Sequence, residues 1–299
     1  MTNRLLLLLA VFLVSTAGLF AHQALVEATP LAVAAWRLGL AALFFLGISW
    51  LAPRSARSPA LPLSPSIRVR LAVGGVCLAL HFVTWFAALD RTSVARATLL
   101  ACTTPLWATL GAFSLGRHRP TLRDFAALLL AGLGLWLVTQ GGTQLPTRAT
   151  LLGDALGLSA GLLFACYLLL MEGLHVQISS QRQVTVAYSV AAALLWAALL
   201  ARGGATLSYS APVWKALLGM TLGPQIFGHT LLNASLRHFS SSLIGFAILL
   251  EPIIAALLAW LLLGQRLALT QIGGGVLVLL ALALVIGWQR TLRKQEAIR

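Results

Sequence analysis

Residues Ala87-Ala88-Leu89-Asp90-Arg91-Thr92-Ser93 are followed by Pro105 and then by Leu115-Gly116-Arg117. The same order returns as Ala234-Ser235-Leu236-Arg237-His238-Phe239-Ser240, Pro252 and Leu263-Gly264-Gln265. Serine to proline is 12 residues in both copies, and proline to glycine is 11 in the first and 12 in the second. Working outward from these anchors, ten long apolar runs fall into two sets of five. They lie near 5–22, 30–50, 69–89, 94–115 and 122–140, then 151–171, 183–201, 212–234, 241–263 and 267–288. Crossing the hydrocarbon takes roughly 20 mostly apolar residues per helix. Continuous rather than alternating apolarity predicts helices and not a barrel. Five crossings is an odd number, so the second copy must enter the bilayer from the opposite face. The expected fold is an all-α integral membrane protein of ten transmembrane helices, arranged as two inverted five-helix repeats over 1–145 and 146–299. Many secondary transporters use such repeats to place one midplane site between two exits.

Composition agrees with a membrane solvent. Hydrophobic residues make up 59% of the chain and charged ones only 9%, against about 25% charged in soluble domains. The linkers are too short for a soluble domain. A net charge of +14 would point to nucleic acid in a soluble protein, but here the positions of the charges decide otherwise. With the N-terminus in the cytoplasm, 14 of the 21 basic residues fall on cytoplasmic segments, among them Arg54, Arg57, Arg68, Arg70, Arg117, Arg119 and Arg123. Six, including Arg91, Arg96, Arg148 and Arg266, fall opposite, and Arg37 lies inside the second span. The bias follows the positive-inside rule and predicts cytoplasmic N- and C-termini in the cell's inner (plasma) membrane. No nucleic-acid partner is expected. Read as a cleaved signal peptide, the first run would leave nine spans and spoil the symmetry, so it reads as a span. Cys77, Cys102 and Cys166 lie within spans, with neither a disulfide framework nor metal-ligand spacing. No metal or cofactor is expected.

Polar groups at membrane depth are costly and so carry information. Glu251 sits near the middle of span nine, before Pro252, which cannot donate to the carbonyl of Ile248. It reads first as a structural charge fixing a broken helix, with Arg37 or a histidine as partner, and second as a gating or coupling acid. Pro105 breaks span four at the matching place, behind Thr103 and Thr104. In span three, His81, Thr84 and Trp85 recur at helical steps, setting a donor–acceptor beside a large ring, a pairing suited to a zwitterion or a ring-bearing solute. Span eight carries Gln225, His229 and Asn233 at fourfold spacing on one face. Cavity lining and interhelical hydrogen-bond glue are both open for these residues. Trp107 and Tyr167 are candidate aromatic walls, with helix packing or lipid contact as the other reading. Spans five and ten, rich in small residues, read as scaffold, with a dimer face as the minor alternative.

Over about 280 residues the chain resembles the drug/metabolite transporter superfamily, in its ten-helix EamA-type members. The resemblance is carried by Trp36-Arg37, the Ala-Leu-x-x-x-Ser link after span three, Gly153-Asp154, Leu250-Glu251-Pro252-Ile253 and Leu263-Gly264-Gln265-Arg266. It implies cytoplasmic termini, a path between the halves, and export of small metabolites, aromatic amino acids among them. Where the family often has Gly-Glu, this chain has Gly116-Arg117 and Gly264-Gln265, which puts an acidic gating pair in doubt. Gly157-Leu158-Ser159-Ala160-Gly161 matches a hydrolase elbow, but that motif needs a strand before the serine and a helix after it. Inside an apolar span it reads as a small-residue packing pair. An intramembrane serine protease, and a receptor or scaffold without flux, are the rival classes. The expectation is a non-enzymatic carrier, monomeric or weakly dimeric in the lipid bilayer. It would export a small-molecule substrate by alternating access, with amino acids favoured over nucleosides and drugs.

Overall fold

The computed structural model describes residues 3–51, 63–92, 94–117, 121–138, 148–204, 207–263 and 269–296. Ser93, Arg54, Arg57, Arg119, Gly264, Gln265, Arg266 and the repeat boundary near 145 lie outside the described residues. Among the described residues the regular structure is helical throughout, with no strand. The first half contains α1 (Asn3–Ser15), α2 (Ala17–Ala24), α3 (Pro30–Leu51), α4 (Pro65–Leu89), α5 (Val94–Ala101), α6 (Thr104–Ser114) and α7 (Leu122–Val138). The second contains α8 (Arg148–Met171), α9 (Ser180–Ala201), α10 (Ala211–Met220), α11 (Thr230–Ser235), α12 (Ser241–Ile248), α13 (Glu251–Leu263) and α14 (Leu269–Glu296). A π-helical segment, Thr221–His229, joins α10 to α11.

Five stretches are long and apolar enough to cross a membrane: Asn3–Ala24, Pro30–Leu51, Pro65–Leu89, Leu151–Val176 and Ser180–Ala201. Some of their starts carry hydroxyl caps. The hydroxyls of Thr29, Ser64 and Ser179 accept from the amides of Ala32, Ile67 and Arg182 at 3.3, 3.4 and 3.3 Å. Each such cap is worth about 1 kcal/mol.

The apolar runs near 5–22, 94–115, 212–234 and 241–263 are interrupted, and the interruptions are ordered. At Thr16, Thr103 and Leu249 the amide reaches back three residues instead of four, to Leu13, Leu100 and Phe246. The Thr103 and Leu249 breaks occupy equivalent places in the sequence echo, just ahead of Pro105 and Pro252. The carbonyls that these prolines leave without an i+4 amide find side-chain donors. Ala101 O accepts from Thr104 Oγ1 at 2.9 Å, and Ile248 O lies 4.0 Å from the weak donor Cys102 Sγ of the other half. Pro224 is accommodated differently, by the wider π turn around it, a device often found at functional sites.

Packing between the halves follows the repeat. Helix α3 lies on α9, α7 on α14, and α6 on α12. Helix α4 lies on α8, and its counterpart contact is made by α1 and α2 against α10, the π segment and α11. Each contact is its own counterpart or has one in the other half, the signature of a two-fold relation. Helices approach closely where a side chain is missing. A Cβ at Gly134 would lie 2.7 Å from Gly274 O, so α7 and α14 meet backbone to backbone.

Candidate substrate cavity between the halves

The breaks surround a cavity of about 40 Å³, room for a few waters and far too little for a metabolite. The first half lines it with Arg37 from α3, with His81, Phe82 and Trp85 from α4, and with Cys102 and Thr104 at the α5–α6 break. The second half contributes Phe164 from α8, His229 from the π segment, and Ile248 and Glu251 flanking the α12–α13 break.

The wall is aromatic with polar inserts. His81 Nδ1 lies 2.9 Å from Ala160 O. A carbonyl only accepts, so Nδ1 carries the proton and, in the neutral ring, Nε2 is the acceptor. His229 stands edge-on to Phe82 and Phe164, with centroids at 5.2 and 5.3 Å, and 6.5 Å from His81. Its Nδ1 is buried without a hydrogen-bond partner.

Arg37 is fully buried. Its Nε donates to Gln225 Oε1 at 2.7 Å, and its Cζ lies 4.2 Å from the centre of the Phe82 ring. Nη1 and Nη2 have no partner, nor has Gln225 Nε2. Glu251 lines the same cavity from the opposite half, but no ion pair within 4.0 Å joins it to Arg37 among the described residues. A charge-assisted hydrogen bond contributes about 1.5–3 kcal/mol and a desolvated cation–π contact about 2 kcal/mol. Burying a guanidinium costs several kcal/mol. With two nitrogens unsatisfied, Arg37 is only partly compensated.

Other sequence candidates stand outside this wall in the present conformation. Thr84 Oγ1 donates to the carbonyls of Leu80 and His81 at 2.8 and 3.0 Å. Trp107 Nε1 donates to Thr103 Oγ1 at 3.1 Å. Tyr167 donates to Asn233 Oδ1 at 3.2 Å, and Asn233 Nδ2 to Gln183 Oε1 at 3.3 Å, forming a buried polar chain beside the cavity. Pro105 and Pro252 are buried at their breaks. Among the described residues, no group of three or more His, Cys, Asp or Glu side chains is placed to hold a metal ion.

A second polar centre, not singled out from the sequence, closes one end of the bundle. Glu172, just past α8, accepts from Ser241 Oγ at 2.9 Å and from Ser241 N at 3.3 Å, and pairs with Arg117 Nη1 at 3.4 Å. Arg70 Nη2 donates to the carbonyls of Leu170 and Glu172 at 2.7 Å each, and Arg117 Nη1 to Leu169 O at 2.9 Å. Two arginines of the first half thus cap the end of a second-half helix, where the dipole favours cations. The signal available in the sequence was scarcity, since only seven acidic residues occur in the whole chain. At the other end Glu27 Oε2 accepts from Ser210 N at 2.8 Å. Hydrogen bonds from the side chain and backbone of Ser210 hold its carboxyl below the ordinary value of 4.5.

The model of the EamA-like transporter family matches residues 2–140 and again residues 151–287, once for each half. The chain belongs to the EamA-like transporter family. It is 25% identical to "Uncharacterized transporter YwfM" of Bacillus subtilis (strain 168), over 98% of this chain and 96% of that protein. A solved structure titled "Crystal structure of protein" has the same fold, with a TM-score of 0.78 at 16% identity, covering 97% of this chain and 98% of that one. This EamA-like protein is therefore a multi-pass membrane transporter of the drug/metabolite superfamily and not an enzyme. Its hydrolase-like glycines serve packing. A Cβ at Gly161 would lie 2.7 Å from Thr103 Oγ1 and one at Gly157 2.9 Å from Leu100 Cβ, while Ser159 Oγ donates to its own helix at Ala155 O.

Proposed function

We propose that this EamA-like transporter exports small amphipathic metabolites, neutral or aromatic amino acids foremost, by alternating access through the cavity between its halves. Ten spans in two inverted sets of five, with both termini in the cytoplasm of an inner-membrane protein, provide the frame. The observation that carries the reading is the cavity. Rings of Phe82, Trp85 and Phe164 enclose it, a basic and an acidic group face it from opposite halves, and helix breaks adjoin it. Breaks supply the backbone freedom that rocking of packed helices requires. At about 40 Å³ the cavity is too small for such cargo, so admitting it requires the halves to move apart. Polar ties between the halves at both ends, Glu172 with Arg117 and Glu27 with Ser210, fit such a narrowed state. Counterflow into liposomes holding the purified protein tests the reading, with labelled amino acids, uridine and ethidium as panel. Saturable exchange of neutral or aromatic amino acids is expected. Exchange of uridine or ethidium instead would move the substrate class, and no exchange of any solute would refute the carrier reading.

A further inference from the structure

Arg37 stands out in the cavity because its strongest hydrogen-bonding edge is unused. The side chain is wholly buried, Gln225 takes only Nε, and Phe82 covers one face of the guanidinium. The Nη1 and Nη2 donors meet no acceptor. Two donors in a rigid planar fork match the two oxygens of a carboxylate. Glu251, the acidic residue of the cavity wall, comes from the other half and makes no ion pair with Arg37 among the described residues.

We propose that Arg37 is the carboxylate anchor of the transported solute and that Glu251 faces the solute's ammonium group. Gln225 holds the guanidinium in orientation through Nε, and the rings of Phe82, Trp85 and Phe164 receive the side chain. The cargo is then a monocarboxylic zwitterion with an apolar or aromatic body. A solute bridging Arg37 and Glu251 neutralises a charge on each half at once, which favours the halves closing over it. This assignment rests on the carrier reading above and narrows its substrate class.

The test uses the full-length protein in liposomes and compares matched solutes in counterflow: tryptophan with tryptamine and indole-3-propionate, and leucine with 3-methylbutylamine. The amines lack the carboxylate and indole-3-propionate lacks the ammonium group. Expected is a preference for the zwitterion of roughly 100-fold or more over the amine, the scale set by leaving a buried charged group without its hydrogen-bond partner. Arg37→Lys, which keeps the charge but not the fork, is expected to lose at least about 10-fold in apparent affinity for tryptophan. Arg37→Gln should abolish the preference over tryptamine, and Glu251→Gln the preference over indole-3-propionate. Should Arg37→Gln not fold, the wild-type comparison of acid with amine decides alone. Equal exchange of tryptophan and tryptamine by the wild type, or an Arg37→Gln protein that still prefers the acid, overturns the anchor and leaves the carrier standing. No exchange of any solute overturns both.

Discussion

Glu172→Gln is expected to open the end of the bundle that the charge pattern assigns to the cytoplasm. The carboxylate ties α8 to Arg117 of the first half and to the start of α12 through Ser241. The ion pair is 3.4 Å long, with the Arg117 side chain 38% and the Glu172 side chain 22% exposed, so screening limits it to about 0.5–1 kcal/mol. The Ser241 bonds use both carboxylate oxygens, of which the amide keeps one as acceptor, but Ser241 belongs to the same half as Glu172 and these bonds do not enter the balance between open and closed halves. Loss of about 0.5–1 kcal/mol changes a two-state ratio by about 2- to 5-fold. Spin labels on cysteines replacing the exposed residues Ser114 and Gln181 report it, after Cys77, Cys102 and Cys166 are replaced by alanine. The ratio of long to short distances between the labels is expected to rise by that factor in bilayers. An unchanged distribution, with folding intact, would refute the view that Glu172 restrains this end.

A methyl group at Gly245 would lie 2.9 Å from Pro105 Cα, so Gly245→Ala is expected to push α12 from α6. The cost is about 1–3 kcal/mol, read as a lowered Tm in detergent, whereas Gly132→Ala, with open space at its Cβ, should not lower it. Ser159→Ala is expected to leave counterflow within about twofold of wild type, because the hydroxyl bonds only its own helix; loss of exchange would reopen a chemical role. The depressed Glu27 carboxyl strengthens the Ser210 contact above the carboxyl's ordinary value, and the contact is lost as pH falls through its lowered value. Between pH 7 and pH 3 the wild type should therefore lose more thermal stability than Glu27→Gln, and equal losses would dismiss the contact.

Much of the fold was legible because lipid leaves the backbone few options. Apolar runs of spanning length must be helices, while the caps at Ser64 and Ser179 lie ahead of the apolar runs and emerged only from the structure. The prolines at 105 and 252 located two of the breaks, since a missing amide is a local property. The site was legible in part. His81, Trp85, His229, Arg37 and Glu251 stood out as polar or large groups at depth, and they converge on one cavity. Thr84, Trp107, Tyr167 and Asn233 carry the same signals yet hydrogen-bond elsewhere in this conformation. Periodicity gives the face of a helix but not the neighbour that face meets. Phe82 and Phe164 gave no polar signal, and Glu172 was not singled out from the sequence.

From its sequence alone this chain was bound to be helical, membrane-embedded and duplicated, because hydrophobic length, proline position and repeat spacing act locally or through simple symmetry. The three-dimensional arrangement decided which buried groups are already satisfied and which are not. Arg37 has its Nε partner 188 residues away in Gln225 and two nitrogens with none. Hydrogen-bond satisfaction depends on angstrom-scale distances between helices far apart in the chain, and only packing sets those.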